Sequence, residues 1–180
     1  MMLSVREIKK KDIGLVLDYW HNLTKGQLES MGADIKKLPS RQKMFEMLAL
    51  DMALPFERKS SYALIWIANR HEVGHSNVNK IIYGKEAYMH LHLWQPEKRL
   101  QGTGTELVRM SLPYFFENLK LETLFCEPYA LNPAPNKVLE NVGFQFEKEY
   151  TTTPGYINFE QPVRRWKLTK ERYRKLILQA

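Results

Sequence analysis

Apolar residues recur at helical spacing twice in the first third of the chain. Over residues 12–22 they line one side of a predicted helix, for which Asp12 is the expected N-cap. Residues 24–37 show no clean period and are expected to form a loop or a broken helix. Ser40 is placed to cap a second helix that ends before a proline, and its apolar positions are Met44, Met47, Leu48 and Met52.

The clearest strand pattern lies at residues 86–94, where apolar residues alternate with Tyr88, His90, His92 and Trp94. Further strands are expected at residues 4–8, 61–69, 72–83 (bent, or a pair), 121–127, 144–151 and 161–168. Helices are expected from about residue 104 to 119, interrupted at Pro113, at residues 136–141 before Gly143, and in the C-terminal tail. Helices interleaved with strands predict an α/β (α+β) fold in one domain spanning residues 1–180.

Composition narrows the class of protein. A chain of 180 residues with 44% apolar residues can bury a core large enough to fold without disulfides or a structural metal. Its single cysteine cannot form an internal disulfide. The longest apolar run, residues 62–68, is far shorter than the roughly 20 residues of a membrane span, and residues 1–12 lack the apolar stretch of a signal peptide. We therefore expect a cytoplasmic protein that does not enter membranes, and the sequence shows no cysteine and histidine spacing typical of a metal site.

The net charge of +7 is concentrated in the C-terminal segment, residues 164–180. Its cations are Arg164, Arg165, Lys167, Lys170, Arg172, Arg174 and Lys175. A solvated helix face is the simplest interpretation, and attraction of an anionic ligand or of nucleic acid is the alternative. We expect Tyr173, Ile177 and Leu178 to anchor this segment to the body of the protein.

A glycine-containing turn follows the clearest strand and opens a helix. It consists of Arg99, Leu100, Gln101, Gly102, Thr103, Gly104 and Thr105. Glycines let the backbone approach a ligand, and the free N–H groups of a helix N-terminus favour an anion such as a pyrophosphate. The spacing matches neither the P-loop of nucleotide-binding proteins nor the dinucleotide fingerprint, which needs a third glycine.

This turn resembles motif A of the GCN5-related N-acetyltransferase (GNAT) superfamily, through Arg99, Gly102 and Gly104. A second stretch, with Asn132 before a short helix that ends in Gly143 and Phe144, resembles the superfamily's motif B. The resemblance implies a central mixed, mostly antiparallel sheet, flanked by helices and splayed between the fourth and fifth strands. It also implies acetyl-CoA as co-substrate and an amine acceptor as the other partner.

The resemblance assigns residues to the co-substrate. The backbone of His92, Leu93 and Trp94 would pair with the pantetheine, and the turn from Leu100 to Thr105 would hold the pyrophosphate. Asn132 and Asn136 would also contact the co-substrate. Many members place a tyrosine four residues before the motif-B glycine as a proton donor to the leaving thiol. The residue at that position here is Leu139, so Tyr129, solvent or no group would donate.

Acetyl transfer to an ammonium needs a base that removes a proton, and two residues are candidates. His90 lies on the predicted fourth strand, where related arylalkylamine acetyltransferases carry histidines. Glu127 ends the fifth strand, where some related enzymes carry a glutamate base. Each also has a structural interpretation, as a buried histidine bonded to a neighbouring strand or as a carboxylate that holds a turn. His75 is expected at the surface, with the acceptor side as the alternative, and Cys126 in the core.

The leading hypothesis is direct acetyl transfer from acetyl-CoA to a primary amine of a small molecule or peptide. A hydroxylamine or hydroxylysine acceptor is the alternative suggested by Glu127 and Pro128. A basic nucleic-acid-binding module without catalysis is a third hypothesis, although the tail matches no recognition motif. A fourth is CoA binding without turnover. A homodimer is possible, and the sequence does not identify the acceptor.

Overall fold

The computed structural model describes residues 1–94 and 102–178, and its centre is a seven-stranded sheet in the order β1-β2-β3-β4-β5-β7-β6. The strands are β1 (Leu3–Glu7), β2 (Ser61–Ala68), β3 (His71–Ile82), β4 (Glu86–Leu93), β5 (Thr123–Cys126), β6 (Gln145–Thr152) and β7 (Gln161–Thr169). Strands β4 and β5 pair in parallel, whereas the other neighbouring strands of the sheet pair antiparallel. The predicted mixed, mostly antiparallel sheet flanked by helices is confirmed.

Six α-helices flank the sheet in the described ranges. They are α1 (Ile13–Asn22), α2 (Lys25–Ser30), α3 (Arg41–Ala53), α4 (Thr103–Pro113), α5 (Pro133–Val142) and α6 (Lys170–Leu178). Beyond Pro113 the chain continues as a π-helical turn, Tyr114–Asn118, so the predicted interruption of that helix is confirmed. No helix in the described part of the chain is both long and apolar enough to cross a membrane.

The structure decides between the two alternatives for residues 24–37. They form the predicted broken helix, in which α2 begins at a reciprocal capping box of Thr24 and Gln27. The expected N-cap at Asp12 needs correction. Asp12 precedes α1 but does not cap it: its carboxylate accepts hydrogen bonds from the Arg6 guanidinium and the Lys9 backbone N–H. Burial alone would raise the pKa of Asp12, but these hydrogen bonds and the charge of Arg6 lower it below its usual value.

The two faces of the sheet carry different side chains, because successive strand residues point to opposite sides. On one face Trp66 of β2 donates to Ser111 of α4, within a core that continues through α5 and α6. On the other face α1 and α3 form a smaller cluster around Ile13, Leu17 and Met44. The histidines of β4 lie on this second face, next to α1.

The basic C-terminal segment is folded onto the protein. Its residues 164–169 belong to β7, and ion pairs tie four of its seven cations to acidic residues elsewhere: Arg164 to Glu149, Arg165 to Glu127, Lys167 to Glu147 and Lys170 to Glu122. Tyr173 anchors α6, since it is buried and stacks on Phe116 with ring centroids 4.4 Å apart. The predicted anchoring by Ile177 and Leu178 is wrong, because both are exposed; Leu176 packs against the core instead.

Candidate active site

The sheet opens between β4 and β5. Their parallel pairing runs from Glu86 opposite Thr123 to Met89 opposite Cys126, where β5 ends. Strand β4 continues to Leu93, while the chain after β5 turns along β7, where Arg164 N–H donates to the Pro128 carbonyl. Within the described residues, the edge of β4 beyond Met89 therefore faces an opening.

The peptide groups on this open edge belong to alternate residues of β4. Trp94 N–H donates to the Val73 carbonyl of β3, at 2.8 Å. In an antiparallel pair, the N–H groups of successive residues point alternately toward the partner strand and away from it. The pairing of β4 with β3 is regular here, with His92 opposite His75. His92 and Trp94 therefore turn their N–H groups toward β3, whereas Leu91 and Leu93 turn theirs toward the opening. Of the predicted His92, Leu93 and Trp94, only Leu93 therefore turns its N–H toward the opening, and a contact with the pantetheine stays a prediction.

The N-terminus of α4 presents donors that have no partner in the described part of the chain. Gly102 precedes the helix with a left-handed φ of +87°, a conformation that favours glycine. The first intrahelical bond runs from Glu106 N–H to the Gly102 carbonyl, so the N–H groups of Thr103, Gly104 and Thr105 come before the hydrogen-bond ladder. The buried Thr103 hydroxyl has no partner among the described residues. The predicted residues Arg99, Leu100 and Gln101 lie outside the described residues.

The two asparagines of the second motif sit at the start of α5. Asn132 occupies the N-cap position, but its side chain makes no capping bond, and it lines the cavity described below. Asn136 is buried and donates to the carbonyls of Tyr129 and Asn132, while its own oxygen accepts from Trp166 Nε1 at 2.8 Å. These contacts use both amide hydrogens of Asn136 and support a structural role; a contact with the co-substrate stays a prediction for both residues.

A cavity of about 370 Å³ adjoins the open edge of β4, within the range of roughly 300–1,000 Å³ common for small-molecule sites. Helices α1 and α3 and the segment 154–158 between β6 and β7 line it together with the sheet. Strands β3 and β4 contribute neutral polar side chains to its lining: His75, Asn77 and Asn79 on β3, and His90 and His92 on β4.

His90 is oriented by a neighbouring strand. Its Nε2 lies 3.0 Å from Asn79 Oδ1, and because an amide oxygen only accepts, Nε2 carries the proton and Nδ1 keeps a lone pair. Burial, followed by the charge of Lys80, lowers the pKa of His90 to about 4. The imidazole is therefore neutral at physiological pH and able to accept a proton.

His75 and His92 stack beside this residue, which corrects the expectation of a surface His75. Their ring centroids are 4.6 Å apart at an interplanar angle of 20°, and His75 is only 3% exposed. Trp94 Nε1 donates to His75 Nδ1 at 2.7 Å, and the Tyr19 hydroxyl lies 3.3 Å from His92 Nδ1. Burial lowers the pKa of His75 to about 3 and that of His92 well below its usual value.

Stability should decrease as the pH falls below about 6.5, the ordinary pKa of histidine. The unfolded chain binds a proton at His75 from that pH downward, whereas the folded protein does so only near pH 3. The free energy of unfolding therefore falls by about 1.4 kcal/mol per pH unit for this residue within that window. Chemical unfolding of the wild type and of His75→Gln at several pH values measures the difference in slope. Equal slopes between pH 6 and 4 would contradict a buried neutral His75.

Glu127 is held by an ion pair. Its carboxylate accepts from Arg165 Nε at 2.6 Å and from the Tyr150 hydroxyl, and its side chain is 6% exposed. The Arg165 guanidinium also lies over the rings of Tyr88, Phe125 and Tyr150. Glu127 lines the cavity, but these partners already satisfy its charge, which supports the structural interpretation.

Cys126 and Leu139, the other two residues considered in this region, both lie buried in the core. Cys126 is buried, and burial raises the pKa of its thiol, so it is protonated and unsuited to nucleophilic attack. Leu139 is fully buried in the core under α5, at the position where many superfamily members carry the tyrosine. Tyr129 lines the cavity, and its role as proton donor to the leaving thiol stays a prediction.

A sheet opened between two parallel strands, with a helix between them in the chain that begins at a glycine turn, is typical of acetyltransferases of the GNAT fold. The Acetyltransferase (GNAT) domain matches residues 3–145, and the chain belongs to this family. It is an acetyltransferase that uses acetyl-CoA as co-substrate. A nucleic-acid-binding module without catalysis is therefore not the function of this fold, and the paired charges of the C-terminal segment agree with that conclusion.

Several solved structures share the fold. Spermidine N-acetyltransferase from Vibrio cholerae, in complex with CoA and spermine, is 19% identical with a TM-score of 0.75, over 95% of this chain and 97% of that chain. A ribosomal L7/L12 alpha-N-protein acetyltransferase in complex with coenzyme A is 14% identical with a TM-score of 0.76, over 96% of both chains. An aminoglycoside acetyltransferase in complex with coenzyme A is 17% identical with a TM-score of 0.72, over 97% and 98%. No curated protein matches the chain in sequence.

The residues present fit acetyl-CoA. Among the described residues the N–H groups from Thr103 to Thr105 and the Thr103 hydroxyl have no hydrogen-bond partner, and such groups suit the pyrophosphate. The free edge of β4 at Leu91 and Leu93 suits the amides of the pantetheine, and the cavity lies where the edge meets β5. Among the described residues no group of histidine, cysteine and carboxylate side chains is arranged to hold a metal ion.

Proposed function

We propose that this enzyme transfers an acetyl group directly from acetyl-CoA to a primary amine of a small molecule that occupies the cavity. The observation that supports it best is that the open edge of β4 borders a cavity which contains a neutral histidine with a free ring nitrogen. Acetyl-CoA, when bound, supplies the acetyl group as a thioester. The acceptor, a cytoplasmic location and a homodimer stay predictions.

His90 is the residue we assign as the general base. Asn79 holds Nε2, so Nδ1 is the atom that takes the proton of the acceptor ammonium, directly or through a water molecule. The low pKa of His90 keeps it unprotonated before the acceptor binds. The N–H groups of Leu91 and Leu93 are donors for the thioester ligand, and the apolar side chains of α1 and α3 exclude water.

A substitution at Gly104 tests the proposed position of the co-substrate. A Cβ added at Gly104 would meet Val138 at 3.5 Å, an ordinary contact, so a side chain fits the fold. Gly104→Asp adds a negative charge beside the predicted pyrophosphate site, and we expect the Kd for acetyl-CoA to rise at least about tenfold, or about 1.4 kcal/mol. Titration calorimetry measures the affinity without needing an acceptor.

Gly104→Ala is the matched control, because it adds the Cβ without the charge and should bind acetyl-CoA nearly as the wild type does. Tight binding by the aspartate variant would show that the pyrophosphate lies elsewhere. The hydroxylamine alternative has no observation in its favour, since the glutamate that suggested it is engaged by Arg165.

A further inference from the structure

We infer that the acceptor is a monoamine with an apolar body, and that the cavity discriminates against a second charge of either sign. The inference rests on the proposed function and specifies its substrate class. It comes from the charges of the cavity wall. Among the described lining residues only Asp51 and Glu127 are charged, and none is a lysine or an arginine.

Both carboxylates already have partners. Asp51 accepts from the Ser60 N–H at 2.9 Å, from the Ser60 hydroxyl and from the Ser61 hydroxyl at 2.8 Å. Its charge also interacts with the Lys59 ammonium, which donates to the Asp51 carbonyl at 2.6 Å. Glu127 is paired with Arg165 and Tyr150. A second ammonium, as in a polyamine, would therefore lose its hydration without meeting a carboxylate that lacks a partner, which is unfavourable. An acceptor carboxylate would meet no lysine or arginine among the described lining residues.

The rest of the wall suits an apolar body. Helices α1 and α3 contribute Val16, Trp20, Met44, Met47 and Leu48. Methionine side chains adapt to irregular shapes, and Trp20 offers an aromatic surface. Opposite them stand neutral groups, Asn77 and the histidines, which can hydrogen-bond a hydroxyl or an amide but cannot neutralise a charge.

The cavity is also closed at one end. The segment between β6 and β7 is tied to the chain after α2, because Asn158 Nδ2 and Gln161 Nε2 both donate to the Gly32 carbonyl at 2.8 Å. Asp34 N–H donates to the Ile157 carbonyl, also at 2.8 Å. A Cβ on Gly32 would lie 1.9 Å from Gln161 Oε1, so only glycine allows this contact. The closure favours a small acceptor over a folded protein surface.

Matched pairs of amines test the inference. Hexylamine is compared with diaminohexane, which adds only a second ammonium, and phenethylamine with phenylalanine, which adds only a carboxylate. We expect kcat/KM, followed by thiol release from acetyl-CoA, to be at least about tenfold higher for the singly charged member of each pair. Calorimetry of the same amines gives their Kd whether or not they are acetylated.

A carboxylate introduced into the wall should reverse the preference. Met47 lines the cavity and is 40% exposed on α3, so Met47→Glu is compatible with folding. We expect it to raise the ratio of diaminohexane to hexylamine several-fold, in turnover or in binding. Leu50→Glu is the control, since Leu50 lies on the same helix, is 67% exposed and does not line the cavity.

The outcomes separate the two proposals. If the amines are acetylated but diaminohexane or phenylalanine is preferred, the inference about the acceptor is wrong and the proposed function stands. If no amine is acetylated but the order of binding is as expected, the acceptor class stands and the proposed function fails. Equal affinity within both pairs, or no binding of any of them, would overturn the inference.

Discussion

Replacing His90 by glutamine should lower kcat/KM for amine acetylation roughly 10²–10⁴-fold, the usual contribution of a general base. Glutamine can keep the hydrogen bond to Asn79 but has no ring nitrogen that accepts a proton. The affinity for acetyl-CoA, measured by calorimetry, should stay near the wild-type value, because Leu91, Leu93 and the N-terminus of α4 are unchanged. The variant therefore separates catalysis from binding.

The pH profile gives a second signature of His90. Its folded pKa is about 4, so the rate of the wild type should hold at mildly acidic pH and fall only as the pH drops through about 4. His90→Gln should lose this acidic limb. Asn79→Ala should lower the rate less, because it frees the imidazole to rotate without removing the base. Near wild-type rates with the same acidic limb in His90→Gln would show that another group takes the proton.

Replacing Arg165 by methionine should destabilise the fold by about 3–5 kcal/mol, the cost of leaving a buried charge without its partner. Glu127 is 6% exposed and Arg165 21%, so water screens this ion pair only slightly. The pair joins β7 to the end of β5, next to the opening in the sheet. Chemical unfolding measures the loss of stability. The affinity for acetyl-CoA, measured at low temperature where the variant is folded, checks that its folded molecules keep the native structure.

Glu127→Gln and the double variant complete this test. The double variant Glu127→Gln with Arg165→Met should recover part of the stability lost in Arg165→Met, since no buried charge is then left alone. If Glu127 is structural, Glu127→Gln keeps most of the rate per folded molecule. A fall in rate as large as that of His90→Gln, with little loss of stability, would make Glu127 the base instead.

Much of the site followed from local patterns. The alternation of β4 placed Tyr88, His90 and His92 on one face, and the structure confirms that face. The glycines of the turn predicted the start of α4, which begins directly after Gly102. Both predictions concern backbone geometry within a few residues. Neighbours in the chain determine how side chains alternate along a strand and where a helix begins.

Contacts between residues that are far apart in the sequence could not be predicted from local patterns. His75 stacks on His92 and accepts from Trp94, and this contact depends on the register of β3 against β4. Arg165 reaches Glu127 across 38 positions, so a carboxylate that seemed free along the chain is engaged in the fold. Cations counted as one basic segment are distributed by β7 and α6 among separate acidic partners.

The sequence by itself determined the family, the order of the elements and the places where a thioester ligand and a base are expected. These predictions depend on the spacing of residues along one strand and one turn. That spacing is a property of the sequence and does not depend on tertiary contacts. Tertiary structure decided which groups are charged, free and oriented: the neutral His90, the engaged Glu127 and a cavity wall that has no lysine or arginine among its described residues. Burial and hydrogen bonding between segments far apart in the chain set those states, because both depend on three-dimensional surroundings.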